Sequence, residues 1–179
     1  KIIIETKRLI LRPVDVHDDM DIYEYSKEET VGKNAGWKPH ESIEETREIM
    51  GDVFIGQEGV FGIILKENKK LIGTIGLIDD PKRMNESARM IGYALSKDYW
   101  GHGYMTEAAE AMLHYGFNLM NAEIVSAYCY PGNLRSKSVI KKCGFKFEGC
   151  LRLCEILYDG TMYDNECYSI TADEYKKTV

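Results

Sequence analysis

Ile91-Gly-Tyr-Ala-Leu-Ser-Lys-Asp-Tyr-Trp-Gly-His-Gly-Tyr-Met-Thr-Glu-Ala-Ala109 is the stretch on which the fold turns. A strand-like run ends near Leu95, two glycines follow one residue apart, and a helical pattern begins. Gly101 and Gly103 open backbone conformations that a Cβ forbids and let a ligand approach the chain closely. Beyond them the amides of Tyr104, Met105 and Thr106 are the unpaired N–H groups of a helix start, and with the helix dipole they make an anion site. The pattern has neither the Gly-Lys-Ser/Thr ending of a P-loop nor the third glycine of a Rossmann fingerprint. Taken alone, it reads equally as a phosphate grip or a tight turn.

The flanking segments give this turn its setting. Upstream, Val60–Lys66, Leu71–Ile78 and Ala88–Leu95 read as three consecutive strands, the first two joined by the polar Glu67-Asn-Lys-Lys70. Downstream, residues 106–120 carry apolar or small side chains along one helical face. Ile124–Tyr130 is strand-like again, so the strands on either side of this helix are expected to be a parallel pair joined by a right-handed crossover. Anion binding at the carboxyl ends of such strands follows.

Further out, Thr6–Arg12 reads as an early strand stopped by Pro13, and Val14–Ser26 as a first helix with acidic residues near its start. Residues 31–41 read as a loop from their Gly, Asn and Pro content. Ser42-Ile-Glu-Glu45 is a capping box opening a helix that reaches about Phe54. Trp37, in the intervening loop, is either a wall of a substrate pocket or a lid over the core. Asn133 reads as an N-cap, and Gly144 as the residue ending a short helix from Leu134 to Cys143. Phe145–Leu157 and Met162–Ile170 flank Asp159-Gly160, which predicts a type I′ hairpin.

A chain of 179 residues fits one domain and buries roughly two thirds of its unfolded surface. No apolar run approaches the ~18 residues that span a bilayer. Five cysteines, without a C-x-x-C pair or histidines at ligand spacing, indicate neither a disulfide framework nor a metal site, and suit a reducing cytoplasm. The net charge of −6 disfavours nucleic-acid and anionic-membrane partners. It serves solubility or mildly favours a cationic partner.

Trp100-Gly-His-Gly-Tyr-Met-Thr-Glu107, then Asn133-x-x-Ser136, then Cys143-Gly-Phe-Lys-Phe-Glu-Gly149, in that order, resemble the GNAT acetyltransferase superfamily. Within it, the chain resembles the RimJ/RimL-like branch that acetylates protein N-termini. The resemblance runs from Thr6 to Ile170. It implies one N-acetyltransferase domain over residues 1–179, of α/β (α+β) class, with a mixed, mainly antiparallel seven-stranded sheet and helices on both faces. It also implies acetyl-CoA as acetyl donor and no metal. The acceptor is a primary amine, either a protein N-terminus or a small cationic amine such as an aminoglycoside or polyamine, and the chain is a monomer or homodimer. A non-catalytic acyl-CoA-binding module is the rival from another class.

By the same resemblance Gly101, His102, Gly103, Tyr104, Met105 and Thr106 hold the pyrophosphate of coenzyme A. The backbone of Tyr93, Ala94 and Leu95 pairs with the pantetheine arm, and Asn133 lies along it. Ser136 and Glu155 become the acid and base. Trp100, Met105 and Ile140 depart from the superfamily pattern, and Ile140 stands where many relatives carry the tyrosine that protonates the leaving thiolate. Spacing adds its own support for Glu155: in a regular strand it shares a face with Leu151, Leu153 and Leu157, where desolvation raises a carboxyl toward a useful base. A solvated edge position is the other reading. Tyr128 and Tyr130 are candidates to line the acetyl channel, Tyr128 and Trp37 as acceptor contacts.

Overall fold

The computed structural model describes residues 1–179. Eight strands, β1 (Ile4–Glu5), β2 (Leu9–Arg12), β3 (Val60–Leu65), β4 (Lys70–Asp79), β5 (Ala88–Leu95), β6 (Ile124–Cys129), β7 (Lys146–Ile156) and β8 (Met162–Thr171), hydrogen-bond in the order β1-β2-β3-β4-β5-β6-β8-β7. Six helices accompany them: α1 (Asp19–Ser26), α2 (Glu29–Ala35), α3 (Ile43–Ile49), α4 (Tyr104–Asn118), α5 (Leu134–Lys142) and α6 (Ala172–Lys176). The mixed sheet with helices is as expected, but it has eight strands, not seven. The extra one, β1, arises because Thr6–Leu9 is a turn closed by a 2.9 Å bond from the Thr6 amide to the Leu9 carbonyl, so Ile4 and Glu5 fold back on Leu11 and Ile10.

The chain divides into two compact units, Lys1–Gly76 with Tyr93–Ala108, and Leu77–Gly92 with Ala109–Val179. In the first, the apolar positions of α1, α2, β3 and β4 converge: Val14, Ile22, Tyr25, Val31, Met50, Ile64 and Leu71 form one cluster. Trp37 packs against this cluster, as do Ala94 and Trp100. Within it the Tyr25 hydroxyl pairs with Thr74 at 3.0 Å. The segment 31–41 is not all loop. Glu28 caps Thr30, and α2 runs to Ala35 before turning at Gly36, because the glycine and asparagine there end a helix instead of preventing one. Ser42 caps α3 by accepting from the Glu45 amide, while the Glu45 carboxylate takes the Glu41 amide in place of the Ser42 amide that a capping box predicts, and the last turn of that segment, Met50–Phe54, is π-helical.

In the second unit, Ala88–Met90 of β5 pairs in parallel with Ile124–Ser126 of β6, the expected crossover pair. From Ile124 to Cys129, β6 also pairs antiparallel with β8, and β8 with β7. Ala109, Met112, Leu113, Tyr115, Gly116 and Phe117 are the buried face of α4. The β7–β8 connection corrects the type I′ reading, since that turn needs positive φ at both central residues and only Gly160 has it. Leu157 and Thr161 close a three-residue loop around it.

Candidate active site

The glycine turn lies in the first unit. Gly101 and Gly103 take φ of 81° and 79°, conformations that cost an L side chain about 1–2 kcal/mol, and both are exposed with His102 between them. A Cβ at Gly101 would meet nothing within 4 Å, so the outer side of the turn is open to a ligand. The fifteen-residue α4 begins at once, and its first-turn amides belong to Tyr104, Met105 and Thr106. Met105 is buried, so its side chain turns into the core and does not crowd the turn.

An arginine–carboxylate clamp that sequence reasoning missed holds this turn in place. Glu107 receives the Thr6 hydroxyl at 2.6 Å, the Arg8 amide at 2.8 Å and Arg8 Nε at 2.7 Å. Burial alone would raise the Glu107 carboxyl; these three donors hold it below the usual carboxylate range. The rest of the Arg8 guanidinium reaches the turn itself. It donates to the His102 carbonyl at 2.9 Å and lies over the Tyr104 ring at 4.4 Å. Arg8 and Glu107 are 99 positions apart, so no local pattern announces the pair.

The end of β5 is also in this unit. The Ser96 amide donates to the Ile72 carbonyl, and a Cβ at Gly73 would sit 2.4 Å from the Ala94 carbonyl oxygen. Ala94 and Ser96 therefore turn their backbone groups toward β4, and because such groups alternate along a strand, Tyr93 and Leu95 turn theirs to the other edge. The Leu95 carbonyl already accepts from Trp100 Nε1 at 2.9 Å. Of the three residues expected to pair with a pantetheine arm, Ala94 is thus turned toward β4. Trp37 covers α2: a Cβ on Gly32 would be 3.0 Å from its ring, and its ring centroid lies 5.4 Å from that of buried His40. The lid reading of Trp37 fits this packing.

Glu155, Ser136, Asn133 and Tyr128 lie in the second unit. The Asn133 carbonyl oxygen accepts from the Ser136 amide at 3.2 Å, so Asn133 is an N-cap of α5, and Ser136, half-buried, stands in the first turn. Ile140, at 1% exposure, is the inward residue of that helix and offers no proton donor. The Tyr128 hydroxyl donates to both oxygens of Asp80, at 2.9 and 3.0 Å, and Ser126 donates to the same carboxylate. Burial, with Asp80 beside it, pushes the Tyr128 phenol up to about 12. Only the ring of Tyr128 remains for an acceptor, and Lys82 Nζ is already 4.9 Å from it.

Glu155 is half-buried, but not among leucines. Between Leu151 and Glu155, β7 advances four positions while β8 advances two, from Asn165 to Tyr163. This bulge breaks the alternation on which the leucine face depended. Leu151 and Leu153 are 45% and 67% exposed, and Leu153 takes φ 47°, its amide donating to Asp164 at 2.8 Å. What holds Glu155 is Tyr130, whose hydroxyl donates to Oε2. Burial first, and Glu155 second, push the Tyr130 phenol up. Two of the cysteines are poor nucleophiles: burial pushes Cys129 up to about 11 and Cys143 up to about 12, far from the thiolate that attack requires. No group of three or more His, Cys, Asp or Glu side chains is placed to hold a metal ion.

A strand end, a turn of two left-handed glycines and the start of a long helix, clamped from outside by an arginine, define an α/β domain with the geometry of an anion site at a helix N-terminus. Comparison with known proteins makes the class specific. Residues 8–146 match the family described as Acetyltransferase (GNAT) domain. The chain is 31% identical over 176 residues to the uncharacterized N-acetyltransferase p20 of Bacillus licheniformis, covering 95% of this chain and 96% of that protein. It is 32% identical over 128 residues to the ribosomal-protein-serine acetyltransferase of Escherichia coli, covering 70% of this chain and 69% of that one. The crystal structure of a GNAT-family acetyltransferase from Bacillus anthracis superposes with a TM-score of 0.86 at 29% identity, over 97% of this chain and 100% of that one. The chain belongs to the GNAT acetyltransferase family and is an N-acetyltransferase, which sets aside the non-catalytic reading. The family's acetyl donor is acetyl-CoA, and the open glycine turn at the start of α4 fits its pyrophosphate.

Proposed function

We propose that this enzyme transfers acetyl from acetyl-CoA to the α-amine of a protein or peptide N-terminus, in the manner of the RimJ/RimL-like branch. The observation that carries the reading is the Glu155 carboxylate, held by Tyr130 on a bulged strand. A carboxylate is a weak base, and an α-amine, with a reference pKa near 8, surrenders its proton to one more readily than a lysine amine near 10.4. The similarity to the E. coli ribosomal-protein-serine acetyltransferase points the same way.

In this reading the first-turn amides of Tyr104, Met105 and Thr106, with the Gly101-His102-Gly103 turn, hold the pyrophosphate, and the Tyr93 and Leu95 backbone holds the pantetheine arm. Asn133 fixes the start of α5 and so the place of Ser136. When bound, the cofactor supplies an activated acetyl thioester. Glu155 takes a proton from the acceptor amine, directly or through one water. The amine nitrogen would take the acetyl carbon as the carbon–sulfur bond breaks, with the Ser136 hydroxyl giving its proton to the departing sulfur and recovering, through solvent, the proton that Glu155 has gained. No acyl-enzyme forms. The Tyr128 ring bounds the acceptor.

The test is thiol release from acetyl-CoA with an N-terminally free peptide. Glu155→Gln is expected to lower kcat by roughly 100-fold or more, and Ser136→Ala by roughly tenfold or more, within the range of general acid–base contributions. Wild-type turnover in both variants would sink these roles.

A further inference from the structure

We propose that Tyr130 is a positioning residue that sets the orientation of Glu155. This rests on the reading of Glu155 as the base. Tyr130 follows directly on β6, and its hydroxyl donates to Glu155 Oε2. Its ring lies 4.8 Å from that of Tyr163, tilted by 38°, and Tyr163 is the register partner of Glu155 across the β7–β8 ladder. Glu155 is thus fixed from two directions, by the strand beneath it and by a phenol braced on its cross-strand neighbour.

The need for such a brace comes from the bulge. Two residues before Glu155, Leu153 sits in the left-handed region, and the ladder has slipped by two positions. A bulge re-aims the side chains that follow it, and the carboxylate just beyond this one needs a partner to hold its new direction. Tyr130 is that partner, engaging one oxygen, Oε2, and leaving Oε1 as the one that takes the acceptor's proton.

Burial, and the carboxylate beside it, make the phenol less acidic, so Tyr130 is the donor of this pair.

Two measurements on the full chain test this. The first is the separate measurement of kcat and KM for an N-terminally free peptide. Tyr130→Phe is expected to lower kcat roughly 10- to 100-fold, the loss of one hydrogen bond to a charged group, with KM little changed. The second, made without acetyl donor, is the carbon-13 NMR signal of the Glu155 carboxyl at neutral pH, which is expected to move in Tyr130→Phe. If Tyr130→Phe folds poorly, Tyr130→3-fluorotyrosine keeps the shape and strengthens the donor, and the carboxyl signal should then move the opposite way. A wild-type kcat with an unmoved carboxyl signal would overturn the assignment. Wild-type turnover in Glu155→Gln would instead remove Glu155 as base, and the NMR signal alone would then decide whether Tyr130 holds that carboxyl.

Discussion

Leu153 shows how one residue decides what a site can be. Its φ of 47° is a conformation that an L side chain occupies at a cost of about 1–2 kcal/mol, and it is exposed, so packing does not force it there. What it does is re-aim the strand two residues before the carboxylate. Leu153→Gly removes the strain while sacrificing little burial, and is expected to raise the thermal midpoint by about 2–4 °C for a chain of this size. A lower midpoint in a thermal melt would show that the leucine side chain contributes more than the strain costs. The bulge also explains why Glu155 was found in the sequence for a reason that does not hold. Alternation along residues 151–157 presumes an unbroken ladder, and nothing in Leu-Arg-Leu-Cys-Glu marks where a ladder slips. The carboxylate's true partner, Tyr130, is 25 positions away on another strand.

At the scale of elements, local signals were legible and long-range ones were not. The Asn133 cap, the Gly144 stop with φ 86°, the Ser42 cap and the start of α4 all depend on residues within a turn of one another, and each stands where its motif predicts. The eighth strand and α2 were missed because a turn at Thr6–Leu9 and a helix that tolerates glycine leave only weak local marks. The Arg8–Glu107 clamp ties an N-terminal hairpin to the first turn of α4 and so stiffens the glycine turn. Arg8→Ala removes the donor to the His102 carbonyl and the cation over Tyr104 together. Coenzyme A affinity measured by calorimetry is expected to fall roughly tenfold, the effect of about 1.4 kcal/mol. Unchanged affinity would mean that the turn needs no clamp to hold its ligand.

The glycine turn and the end of β5 lie in one compact unit, and Glu155, Tyr130 and Ser136 in the other. A net charge of −6 is compatible with a cationic acceptor, and no helix is long and apolar enough to cross a membrane. The family could be read from three ordered motifs because each is local and their order is a property of the chain. The acceptor could not, because the directions of side chains such as Trp37 and Tyr128 depend on packing and on a buried Asp80 that no motif marks. The most direct test offers the enzyme acetyl-CoA with an equimolar mixture of spermidine and a peptide bearing both a free N-terminus and an internal lysine, and locates the acetyl group by mass spectrometry. Acetyl on the peptide α-amine, in step with thiol release, is the predicted result. Acetyl found only on spermidine or only on the lysine side chain would contradict it.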